Sequence, residues 1–129
     1  ILFTMHNLVH DYVTTFAKPG KRYSSNLRAM SYFGCRYMEF RSDLFSRNKG
    51  LRVLKLTGSS VLKLPNSIWQ LKHLGYLKIS EFSGLVTLPE SLGDLTNLIH
   101  VDLSGCSGLL NLPKSFGKLI RLVHANLCC

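Results

Sequence analysis

What this chain lacks narrows it first. It has no run of eighteen apolar residues, which excludes a membrane-spanning helix. No signal peptide is visible within the chain, which begins at Ile1 rather than Met and stops at Cys129 inside a repeating pattern; it reads as part of something longer, and an internal fragment would not show one. Asn-x-Ser/Thr, the acceptor for N-linked sugars, is absent. Cysteine is scarce, and Cys35, Cys106, Cys128 and Cys129 have neither metal-finger spacing nor a regular disulfide framework. Together these features point to a reducing, cytoplasmic setting. There is no Gly-x-x-x-x-Gly-Lys-Ser/Thr loop, so the chain has no phosphate cradle of its own and is not expected to be an enzyme.

Acidic residues are also few. Sixteen Lys and Arg face seven Asp and Glu, for a net charge of +9. The excess is uneven: residues 1–64 carry eleven basic against three acidic residues, while residues 65–129 carry five against four. A basic half suits an acidic partner surface, or else is a solvated face. Nucleic acid is set aside as a partner, because the aromatics are not interleaved with the basic residues as a stacking platform requires. At 129 residues and 46% hydrophobic content, the chain is long and apolar enough for one domain with a core.

What is abundant is leucine at a fixed period. LRVLKL starts at Leu51, LGYLKI at Leu74, LIHVDL at Leu98 and LVHANL at Leu122. LPNS, LPES and LPKS start at Leu64, Leu88 and Leu112, each 24 residues apart, and SIWQLKHL, SLGDLTNL and SFGKLIRL follow them. LRAMSY from Leu27 looks like a degenerate earlier copy. Three markers in register define leucine-rich repeats. The expected fold is α/β: a solenoid with short parallel strands on the concave face and turns or short helices on the convex face, preceded by an N-terminal helix. One copy cannot bury its apolar row, so stability comes from stacking neighbours. Leu54 and Leu56 are expected to point inward from a strand. Leu64, Ile68, Leu71 and Leu74, with their counterparts up to Leu112, Phe116, Leu119 and Leu122, fill the core from the other side. Pro65, Pro89 and Pro113 favour turns. Ser67, Ser91 and Ser115 are expected to cap them. Cys106 falls where such repeats bury an Asn or Cys, and reads as a structural thiol. A Cys128–Cys129 disulfide is disfavoured, because neighbouring strand residues point to opposite faces.

Strand residues that face away from the core form the concave surface, with equivalent positions about 4.8 Å apart. One column is Val53, Tyr76, His100 and His124. The next is Lys55, Lys78, Asp102 and Asn126, and a third is Thr57, Ser80, Ser104 and Cys128. Arg52 flanks the first copy. Aromatic and cationic anchors on such a ladder suit a protein partner that spans several repeats. His100 and His124 could together touch a metal, but two ligands make a weak site and no metal is expected.

The opening segment has a different period. Met5, Leu8, Val9, Tyr12, Val13 and Phe16 make one apolar helix face, ended by Lys18-Pro19-Gly20. His6 and His10 sit four apart on a neighbouring stripe, but with Asn7 between them there is no Glu to act as the base of a zinc protease.

Met5-His6-Asn7, continuing Leu8-Val9-His10-Asp11, then a basic stretch and then repeats carrying LPxS, resembles the plant nucleotide-binding, leucine-rich-repeat immune receptors, the disease resistance proteins. LRVLKL and LSGCSGLLNLP also look like the repeat phrasing of that family. The resemblance implies three parts. Residues 1–20 would be the helical C-terminal end of the nucleotide-binding (NB-ARC) module. Residues 21–50 would be a basic connector with a degenerate first repeat, and residues 51–129 leucine-rich repeats truncated at the C-terminus. It also implies that His6, with Met5 and Asn7 beside it, contacts the β-phosphate of ADP in the parent receptor, an ATP/ADP-binding switch. An imidazole N–H donates to phosphate oxygen, and the contact favours one of two conformations. Asn7 stands where the family usually has Asp, keeping shape and an acceptor but not charge. The implied partners are the receptor's own nucleotide-binding module, docked by the basic segment 18–55, and a pathogen effector or guarded host protein. The alternative is an intracellular leucine-rich-repeat scaffold or adaptor with no nucleotide switch.

Overall fold

A computed structural model describes residues 28–33, 45–58 and 63–127. The N-terminal helix expected over Met5–Phe16, the motif at Met5, His6 and Asn7, and the Cys128–Cys129 pair lie outside the described residues.

Five strands form one parallel sheet in sequence order: β1 (Ala29–Phe33), β2 (Val53–Thr57), β3 (Tyr76–Ser80), β4 (His100–Asp102) and β5 (His124–Asn126). Ala29 pairs with Val53, Val53 with Tyr76, Tyr76 with His100 and His100 with His124. The register therefore repeats the sequence period strand by strand. The segment beginning at Leu27 supplies β1. The copy that is one residue short places its deficit between Thr57 and Leu64, outside the strands, so the alternation of inward and outward residues is undisturbed.

β2, β3 and β4 each return through a 3₁₀ turn on the convex side: η1 (Asn66–Gln70), η2 (Glu90–Asp94) and η3 (Lys114–Lys118). The sequence explains the choice of 3₁₀ over α. Apolar residues recur at three-residue steps, as in Ile68, Leu71 and Leu74, and a 3₁₀ helix aligns residues i and i+3. The amides of Ile68, Leu71 and Leu74 donate to the carbonyls of Pro65, Ile68 and Leu71 at 3.1–3.2 Å, and the next two copies repeat these bonds. Each proline takes the N-cap position in an extended conformation (Pro65 has φ −67°, ψ 143°), where its missing N–H costs nothing. The serines at 67, 91 and 115 are inside the turns and none makes a capping hydrogen bond, contrary to expectation. One turn is capped across repeats instead. The Glu90 carboxylate accepts from the amides of Lys114 (3.0 Å) and Ser115 (2.8 Å) at the start of η3.

The two sides enclose one core. Met30, Leu54, Leu77 and Val101 make one inward row, and Leu56, Ile79 and Leu103 the next. Ile68, Leu71, Leu74 and their counterparts Leu92, Leu95 and Leu98 close it from the convex side. Burying each such side chain contributes about 1.5–3 kcal/mol. Leu112, Phe116 and Leu122 are only partly buried against this core, and Ala125 on β5 and Leu127 just after it are exposed. No further strand lies beyond β5 among the described residues, so the last rows are covered on one side only. Cys106 is buried, and its thiol donates to the Ile79 carbonyl at 3.0 Å. Phe82 fills the same slot one copy earlier, also fully buried.

The chain leaves β2, β3 and β4 through a left-handed residue. Gly58 (φ 70°) and Gly105 (φ 76°) occupy this position in two copies, and Glu81 (φ 61°) in the copy between them.

Candidate functional site

Strand parity and register bring the predicted surface residues together. Val53, Tyr76, His100 and His124 form one row across β2–β5, and Lys55, Lys78, Asp102 and Asn126 the adjacent row. Val53, Lys55, Tyr76, Lys78, His100 and Asp102 are half-buried; Arg52, His124 and Asn126 are exposed. Arg52 sits just ahead of β2, its carbonyl accepting from the amides of Gly75 and Tyr76.

The rows are locked by side-chain contacts. The Tyr76 and His100 rings stack at 4.4 Å with 6° between their planes, and His124 tilts against His100 at 5.6 Å. Lys55 Nζ lies 5.0 Å from the centroid of the Tyr76 ring, a cation–π contact that crosses from one row to the other. Ser80 donates to Thr57 Oγ1 at 3.2 Å in the third row. The Ser104 amide donates to Asp102 Oδ1 at 2.9 Å. Burial works to raise the Asp102 carboxyl, but the Ser104 hydrogen bonds, with Lys78 and His100 nearby, outweigh it and hold it below its ordinary value. Burial, and then the negative charge of Asp102, push the Tyr76 phenol above its ordinary value.

Beside this ladder lies a pair that the sequence reading passed over. Ile99 and Val123, just before His100 and His124, are 51% and 70% exposed. The signal was available: apolar side chains at a flanking position where the other copies have Arg52 and Gly75. Among the described residues, no group of three or more His, Cys, Asp or Glu is placed to hold a metal ion. No helix there is long and apolar enough to cross a membrane.

No family model matches the chain. A solved leucine-rich-repeat protein of Leptospira interrogans superposes with a TM-score of 0.66 at 28% identity, over 78% of this chain and 25% of that one. A parallel sheet at a 24-residue period, 3₁₀ returns and this likeness define a leucine-rich-repeat solenoid. A protein of Solanum bulbocastanum that bears the name of a disease resistance protein, RGA1, is 35% identical over 88 residues, or 60% of this chain. The resemblance to plant nucleotide-binding, leucine-rich-repeat disease resistance proteins, drawn from motifs alone, is thus supported by a second line. The chain spans 9% of the length of that relative. Fold and relatives together support a role in protein–protein interaction.

Proposed function

We propose that this chain is the start of the leucine-rich-repeat region of a cytoplasmic plant immune receptor, and that its concave rows bind protein. The observation that carries this reading is the ordered ladder Tyr76–His100–His124 with Lys55 over the Tyr76 ring: aromatic and cationic anchors held side by side by a rigid sheet, as an interface centre requires. In this reading the repeats meet a pathogen effector or a guarded host protein. The basic residues Arg47, Lys49, Arg52 and Lys55 dock on an acidic face of the receptor's nucleotide-binding module and hold it off. His6, with Met5 and Asn7, contributes to the ADP-bound resting state. The chain itself catalyses nothing.

A graft tests this. The matching segment of the Solanum relative is replaced by this chain and expressed in leaf tissue. The graft stays silent on its own. Reversing charge at Arg47, Lys49, Arg52 and Lys55 causes cell death without pathogen, and His6→Ala lowers the ADP retained by the purified graft. A reversed-charge graft that stays silent while His6→Ala retains full ADP refutes the switching role. In a graft that still responds to its elicitor, an unchanged response after Tyr76→Ala and His100→Ala refutes the concave surface as the interface.

A further inference from the structure

Lys55 and Lys78 stand opposite one another in register on β2 and β3. Neighbouring strands are about 4.8 Å apart, and like charges directly opposite weaken a sheet. No carboxylate sits between them among the described residues. Asp102 lies one strand further on, opposite Lys78; it attracts Lys78 from the far side, and its Oδ1 also accepts from the Ser104 amide. The Tyr76 ring holds Lys55 in place without neutralising it. A cost kept in the free protein, at a spot otherwise well ordered, marks a place where a ligand removes it. A single carboxylate between the two ammonium groups turns one repulsion into two attractions.

The second observation is Ile99, 51% exposed although β5 flanks its strand; Val123 repeats it on the uncovered last copy. The midpoint of Lys55 and Lys78 is two strand spacings from the midpoint of Ile99 and Val123, and three residues away along the strands. That diagonal is about 14 Å. It passes over the stacked Tyr76 and His100 rings. An extended chain covers it in about four residues.

We propose that the concave face binds an extended acidic segment of a partner protein, its Asp or Glu carboxylate bridging Lys55 and Lys78 and an apolar side chain about four residues away resting on Ile99 and Val123. This rests on the interaction reading above and names the chemistry of the partner. A protein segment fits better than nucleic acid. The row that starts with Lys55 and Lys78 continues as Asp102 and Asn126, so a phosphate chain would lose its cations after two strands and meet a carboxylate. The apolar end would have no partner in a phosphodiester.

The test uses the 129-residue chain and fluorescein-labelled decapeptides of Gly, Ser and Thr carrying one Glu and one Leu, two, four or six residues apart, in both orders. Anisotropy should show tightest binding at a separation of four, by about fivefold over two or six. Lys78→Gln should weaken that peptide about tenfold and flatten the dependence on separation, a combination that a merely structural lysine would not produce. Lys78→Glu should prefer the peptide with Lys in place of Glu, and Ile99→Ser should erase the advantage of Leu over Ser. Equal binding at all separations, or a Lys78→Gln variant that binds the best peptide as tightly as the parent, overturns the proposal. A twelve-nucleotide oligothymidylate that binds more tightly than the best peptide overturns it in favour of nucleic acid. If the peptides fail while Tyr76→Ala and His100→Ala still abolish the elicited response of the graft, the acidic-segment chemistry is wrong and the interaction surface stands.

Discussion

Glu81→Gly should stabilise the protein. The residue leaves β3 with φ 61°, in the position that Gly58 and Gly105 fill in neighbouring copies. Its amide donates to the Ser104 carbonyl at 2.9 Å, just as the Gly58 amide donates to Ser80 at 3.0 Å, so the sheet holds the turn in this conformation. A side chain in the left-handed region costs about 1–2 kcal/mol. Glycine removes that cost but leaves an unfolded chain with more freedom to lose, worth about 0.4–1 kcal/mol in the other direction. The carboxylate makes no hydrogen bond or ion pair among the described residues, so little else is lost with it. Strain relief wins by about 0.5–1 kcal/mol. With a urea m-value of about 1.5 kcal/mol/M, the unfolding midpoint rises by about 0.3–0.7 M. Glu81→Ala is the control, since it removes the charge and keeps the strain. The converse change, Gly105→Ala, should cost more than the strain alone, because the added Cβ would sit 3.0 Å from Glu81 Cγ and 3.1 Å from its amide nitrogen. A Glu81→Gly midpoint at or below that of Glu81→Ala would show that the turn is not strained and refute the reasoning.

Three further outcomes follow from the packing, each read from denaturant or acid unfolding. Leu77→Ala, at a fully buried site between Leu54 and Val101, should cost about 3–4 kcal/mol; a loss under about 1.5 kcal/mol would mean that the inward rows are not close-packed. Gly93→Ala should cost about 1–3 kcal/mol, because a Cβ there would fall on the Cβ of Ser115 and within 2.6 Å of its carbonyl oxygen, whereas Gly117→Ala, with nothing within 4 Å, should be much milder. The hydrogen bond from the Ser115 amide, with that of Lys114, holds the Glu90 carboxyl below its ordinary value. A lowered carboxyl contributes stability above its unfolded pKa and loses it as the pH falls through the folded one. Stability should therefore decline from about pH 5 downward, less steeply in Glu90→Gln, and equal slopes would rule out the inter-repeat cap.

The parts of this fold that were legible are those that repeat. A parallel stack forces each copy to meet its neighbour position by position, so the residues that face inward recur at one period and can be counted without a structure. The concave rows follow from the same count, because side chains alternate strictly along a strand. What was not legible is what breaks the repeat or crosses it. Asn48 takes the turn position of Leu71, Leu95 and Leu119 and is fully buried, with Phe45 and Leu51 repeating the turn around it, yet no leucine marks the place. The Glu90 cap joins residues 24 and 25 apart that no local motif pairs. The serines drew attention as caps because helix starts favour them, but the proline ahead of each already closes the turn. The contact of Lys55 with Tyr76 crosses two rows and depends on rotamers that a column count does not contain. Period therefore identifies the surface, while the irregular members of each column determine what that surface prefers. Two lysines in adjacent copies, where strict repetition only adds repulsion, carry more information about a partner than any leucine in the ladder.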